Sequence, residues 1–144
     1  MGGLAFTETL TGTLRLARDP GRERPIALTY QASTGPLLAF LRRPRLVIEG
    51  AIDAPGFAEH RRLHGAITLV WKPDRALDLA FDFTAEGGAP HRFHGRRALR
   101  RGALTLLPGT IADAHAHLVA RALLRLDLRT ELTALLASLR LHRS

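Results

Sequence analysis

The chain carries 20 Arg, one Lys and 13 acidic residues in 144 positions, a formal charge of +8, and no Cys. Disulfides, thiolate metal sites and thiol catalysis are thereby excluded, and the length suits one domain with a real core. With 46% apolar residues, composition argues against disorder. The opening MGGLAFTETLTG has neither the basic flank nor the apolar run of a secretory signal, and no stretch approaches a span of about 18 apolar residues. A single cytoplasmic domain over residues 1–144, without a membrane span, is the expectation. The arginine excess has two readings. A GC-rich coding sequence explains Arg in place of Lys, whereas an anionic partner explains why basic residues outnumber acidic ones.

Leu4, Phe6, Glu8, Leu10, Gly12, Leu14 and Leu16 alternate with Thr7, Thr9, Thr11, Thr13 and Arg15. This period of two predicts a strand with a β-branched outer face. Asp19-Pro20-Gly21 predicts a turn, and Ile26, Leu28 and Tyr30 share the inner face of the next strand, so the two form a hairpin with a long loop. Gly35-Pro36 ends it, and Leu37 to Leu41 is an apolar run of one or two helical turns. Extended structure resumes from Arg45 to Asp53 and turns at Asp53-Ala54-Pro55-Gly56. Leu63, Gly65, Ile67, Leu69 and Trp71 take inward positions, as do Leu77, Leu79, Phe81 and Phe83 against outward Asp78, Ala80, Asp82 and Thr84. His91 to Leu99 and Ala103 to Leu107 complete a β-rich part over residues 1–107, with Gly102 at a bulge or turn.

Helix is predicted from Pro108 onwards. Thr110-x-x-Asp113 has capping-box spacing, Ile111, Leu118 and Ala122 form an apolar stripe, and Leu128, Leu132, Leu135, Leu136 and Leu139 continue it. The expected fold class is α+β. A curved antiparallel sheet or partly closed barrel would carry a C-terminal helix or helix pair over residues 108–144. A short pattern of apolar residue, any residue, glycine supports the curvature: Leu10-Thr-Gly12, Ile48-Glu-Gly50, Leu63-His-Gly65 and Phe93-His-Gly95. Glycine weakens a strand unless the chain must bend sharply around a small core.

Phe6-Thr-Glu8-Thr-Leu10-Thr-Gly12 resembles the F-T-E-x-M-x-G opening of a β-rich accessory region. That region accompanies bacterial cholesterol-oxidase-like flavoproteins of the glucose–methanol–choline oxidoreductase family. Phe57 to Gly65 is similar to its second element, and Leu79-Ala-Phe81-Asp-Phe83 through Phe93-His-Gly95 follows its order of strands. Leu10 stands where the pattern has Met, and no G-x-G-x-x-G follows a strand, so no flavin site is present. The resemblance covers residues 4–115 and implies a fold, an association with sterol- or acyl-like substrates and a flavoprotein partner. It implies no catalytic residue and no cofactor.

Glu8 lies on an apolar face between Phe6 and Leu10, and Arg97 shares the inner face of its strand with Phe93. An inward carboxylate must be paired or shifted in pKa, which predicts a Glu8–Arg97 ion pair at a barrel mouth. Inward Tyr30, Trp71, Phe81, Phe83 and Phe93 either pack the core or, in an unfilled interior, line a pocket for a lipid-like ligand that Glu8 and Arg97 would gate. No histidine pair has metal-ligand geometry. His60 and His64 are about 13 Å apart along a strand, and no H-E-x-x-H occurs. His115 is the one histidine kept as a ligand-site candidate, because it falls on the apolar helical stripe. Arg92, Arg96 and Arg100 form an outward stripe that could follow phosphates, although only eight aromatics are available for base stacking. The leading expectation is a non-catalytic domain that binds a hydrophobic small molecule or docks onto a partner enzyme. The alternatives are a basic module for nucleic acid or an anionic membrane surface, and a small enzyme using Glu8 or His115 on an apolar substrate.

Overall fold

Alternation with a period of two is realised throughout the described chain. A computed structural model describes residues 5–70, 75–98 and 106–126, most of them extended. The strands are β1 (Ala5–Leu16), β2 (Asp19–Ser33), β3 (Arg45–Ala54), β4 (Ala58–Val70), β5 (Ala76–Thr84), β6 (Pro90–Ala98), β7 (Leu106–Asp113) and β8 (Leu118–Leu126). Each pairs antiparallel with the next, and β8 returns to β1 from Leu126↔Leu10 to Ala120↔Leu16, closing an eight-stranded barrel. The Leu37 to Leu41 run forms the short helix α1 (Leu37–Arg42) between β2 and β3.

The expected α+β class and C-terminal helix are overturned. Residues 108–126 are not helical. They supply most of β7 and all of β8, and among the described residues α1 is the only α-helix. The rest of the expected helical part, residues 127–144, lies outside the described residues, as do Gly102 and the rest of residues 99–105. The sequence Leu118-Val-Ala-Arg-Ala-Leu-Leu-Arg-Leu126 reads as helix because Ala, Leu and Arg have high helical propensity. Tertiary pairing overrides that preference: without β8, the β1 edge and the β7 edge would each expose a row of unpaired backbone groups. Asp113 does not cap a helix. It accepts hydrogen bonds from the backbone N–H groups of His115 and His117 at 2.9 and 3.0 Å, and so holds the β7–β8 turn.

The sheet is fully rather than partly closed, and the first hairpin is tighter than expected. Leu16 pairs with Asp19, which leaves a two-residue loop of Ala17 and Arg18. Pro20 and Gly21 lie in the exposed start of β2.

Inward positions from all eight strands form one core that includes Leu10, Leu14, Leu28, Ile48, Phe81, Phe93, Leu107 and Leu124. An eight-stranded barrel has an interior just wide enough for side chains to fill. The repeated glycines sit where the wall comes closest to itself. A Cβ at Gly12 would fall on the Leu123 carbonyl oxygen, at Gly50 on that of Thr29, and at Gly65 on that of Ala80. Gly95 and Gly109 are register partners, and the Phe93 ring covers both. Phe93 in turn stacks on its own partner Phe81, with centroids 4.8 Å apart and planes 11° apart. Aromatic cover of cross-strand glycines is a device that pins register in curved sheets.

The outside is charged. Arg15, Arg62, Asp82, Arg92, Arg96, Arg121 and Arg125 are exposed around an apolar interior, the reverse of a lipid-facing barrel. No helix among the described residues is long and apolar enough to cross a membrane.

Substituting Gly65→Ala should destabilise the barrel by about 3 kcal/mol, because backbone cannot retreat as a flexible side chain could. Gly21→Ala, where a Cβ meets nothing within 4 Å, should stay within about 0.5 kcal/mol of wild type. Urea unfolding of the two variants measures the contrast, and equal losses would remove the close-approach explanation.

Candidate functional site

Connections in an up-and-down barrel alternate between its two ends, so candidate residues divide by end. At the α1 end, Glu8 and Tyr30 are direct partners across β1 and β2, and both point inward. The Tyr30 hydroxyl donates to Glu8 Oε1 at 2.5 Å. Arg97, inward on β6, brings Nη2 to 3.6 Å from the same oxygen. The ion pair expected from sequence is therefore present, inside the barrel wall rather than at an open mouth. Glu8 is 1% and Arg97 5% exposed. Phe40 of α1 is buried in the same core that these strands enclose.

The triad is electrostatically costly. Glu8 Oε2 and Arg97 Nε have no hydrogen-bond partner. Burial pushes the Glu8 carboxyl above the usual glutamate value of 4.5, against the lowering effects of the Tyr30 hydrogen bond and the Arg97 charge. Burial also pushes Tyr30 well above 10.0, and the neighbouring Glu8 charge adds to the rise.

The aromatic candidates are packed. Tyr30, Phe81 and Phe93 are each 1% exposed or less and Phe83 4%, so neighbours touch them on every side. Trp71 lies outside the described residues. His115 is exposed in the β7–β8 turn, at the end of the barrel opposite Glu8. Glu8 and Leu16, at that end, are eight steps apart along β1, roughly 26 Å of strand. Glu8 and His115 therefore share no cavity, and a joint acid–base role has no geometric basis. Among the described residues, no group of His, Asp or Glu side chains could hold a metal ion.

The arginine stripe is occupied. Arg92 and Arg96 lie directly opposite Asp82 and Asp78 in the β5–β6 register. Arg92 Nε donates to Asp82 Oδ1 at 2.9 Å and Nη2 to Oδ2 at 3.3 Å. Arg96 does the same to Asp78 at 2.6 and 2.9 Å. These hydrogen bonds hold both aspartates below their usual range and leave the two guanidiniums committed to protein carboxylates. Arg100 lies outside the described residues.

Sequence reading missed the end opposite α1. There the β1–β2, β3–β4, β5–β6 and β7–β8 connections surround a half-open cleft of about 450 Å³. Leu16, Phe57, Ala85, Leu118 and Val119 supply apolar wall, with Arg18, Glu86 and His91 at polar positions. Phe57, Phe83 and His91 form an aromatic group, with Phe57 edge-on to both others at 6.0 and 5.5 Å and Phe83 stacked on His91 at 5.8 Å. The Ala89 carbonyl lies 2.9 Å from His91 Nδ1. A carbonyl only accepts, so Nδ1 carries the proton of this contact, and Nε2 is the ring nitrogen outside it. Glu86 is anchored by the Glu59 backbone N–H and by Arg61 at 3.1 and 3.2 Å. Arg18 has no carboxylate partner among the described residues. No local signal marks this cleft, because its walls come from three separate turns and the start of β8, which only the meander topology gathers.

Compared with protein-family models, curated proteins and solved structures, the chain matches none.

Two measurements probe the triad. Glu8→Leu should cost about 3–5 kcal/mol because it strands Arg97, whereas Glu8→Leu/Arg97→Met together should cost clearly less. The pH dependence has a definite sign. A raised folded-state value means that the burial cost is absent below 4.5 and grows as pH rises through the raised value. The stability of Glu8→Gln relative to wild type should therefore rise from about pH 4 to about pH 8. A difference that is flat in urea titrations over that range would contradict a neutral-favouring site.

Proposed function

We propose that this protein is a non-catalytic binding domain that takes a small apolar or amphipathic molecule in the cleft opposite α1. The cleft carries the reading. Its 450 Å³ falls within the usual range for ligand sites, and barrel mouths are a common place for them. The packed interior supports a mouth site over a deep calyx, since Tyr30, Phe81 and Phe93 leave no exposed surface for a ligand to cover. The apolar wall of Leu16, Phe57, Leu118 and Val119 would hold the ligand's body. Arg18 and His91 Nε2 would orient a polar end. Leu118 is 43% exposed, surface that a bound apolar group would cover.

Native mass spectrometry of the protein purified from its own host tests this directly, with a retained small-molecule adduct expected. In vitro, anilinonaphthalene sulfonate should bind saturably, and Leu118→Glu should weaken it about tenfold, equivalent to about 1.4 kcal/mol. An adduct-free protein that binds the probe no better than Leu118→Glu would end the reading.

A further inference from the structure

The barrel's exterior has two unlike sides, and the second is not used by the cleft. On β5 and β6 the outward arginines are matched by aspartates. On β7, β8 and β1 the outward positions carry no acidic residue. They are Leu106, Pro108 and Thr110 on β7, Arg121, Leu123 and Arg125 on β8, and Thr7 to Arg15 on alternate positions of β1. Register sets Arg125 beside Leu106 and Thr11, Leu123 beside Pro108 and Thr13, and Arg121 beside Arg15. Like charges directly opposite on one sheet face are destabilising. Arg15 is relieved by Glu23 at 2.9 Å. Arg121 and Arg125 are exposed and have no carboxylate partner among the described residues.

Apolar exposure accompanies it. Of the four large apolar side chains most exposed among the described residues, Leu106 and Leu123 lie on this face, whereas Leu118 lines the cleft. We infer that the β7–β8–β1 face docks on an anionic lipid surface, with Arg121 and Arg125 meeting phosphate-bearing headgroups and Leu106 and Leu123 entering the interfacial layer. Charge complementarity selects an anionic occupant, since Arg121 and Arg125 are exposed there with no carboxylate partner among the described residues. The interleaved leucines select a bilayer over nucleic acid, because a phosphate backbone offers them nothing to bury against. Among the described residues base stacking is also unavailable: every Phe and the single Tyr are buried. This inference is independent of the cleft reading and could stand if that reading fell.

Sedimentation of the full chain with phosphatidylcholine vesicles containing phosphatidylserine provides the test, against pure phosphatidylcholine vesicles. Binding should require the anionic lipid and be lost between roughly 50 mM and roughly 500 mM NaCl. Arg121→Gln/Arg125→Gln should weaken vesicle binding about tenfold. Arg92→Gln/Arg96→Gln, which removes the same net charge from the adjoining β6, where aspartates already hold both guanidiniums, should leave it within about twofold. Leu123→Ser should weaken it while preserving the salt dependence. Both variant pairs change exposed side chains, and unchanged thermal melting would show that they fold. Equal loss from the two double variants would overturn the inference, as would no binding at low salt, or retention by a DNA duplex but not by vesicles.

Discussion

Closure of an eight-stranded sheet around a space that only side chains can fill is the constraint on which the rest of this structure depends. The wall must approach itself closely at Gly12, Gly50 and Gly65, where no side chain fits. The Phe93 ring can then lie across Gly95 and Gly109 and stack on Phe81, tying β5, β6 and β7 into one register. With the interior filled in this way, the cleft of about 450 Å³ lies at one mouth of the barrel and not within it.

Against that apolar interior, the Glu8–Tyr30–Arg97 triad is the principal exception. Three polar side chains come from β1, β2 and β6, so their contacts join opposite sides of the barrel. The Arg97–Glu8 contact is long for a charge-assisted hydrogen bond, and one oxygen and one nitrogen remain unpartnered. Such a group adds little net stability but penalises any packing that separates its members, because an uncompensated buried charge costs several kcal/mol. Its value lies in selecting one arrangement of the barrel rather than in strengthening it.

The exterior shows how register converts composition into surface chemistry. Arginine is spread through the chain, yet the β5–β6 register neutralises Arg92 and Arg96 with the aspartates directly opposite. The same rule applied to β8 and β1 sets Arg121 against Arg15 and leaves it without a carboxylate. The strand that looks most basic in the linear sequence is thus one whose outward charges are spent, while Arg121 and Arg125 keep theirs.

Much of this was legible in the sequence wherever the deciding interactions are local or follow from alternation. The period of two in β1 and β5 placed Glu8, Phe81 and Phe83 inside, and the alternation of β6 placed Arg97 among them. The recurring apolar-x-Gly pattern announced sharp curvature, since glycine inside a strand is tolerated only for such a reason. Two things required the tertiary structure. Residues 108–126 have helical composition, and they are strands because β1 and β7 leave edges that must be paired. The pairing of Arg92 with Asp82 and the gathering of three turns and the start of β8 into one cleft depend on register and closure, contacts between residues distant in the chain that no local pattern encodes.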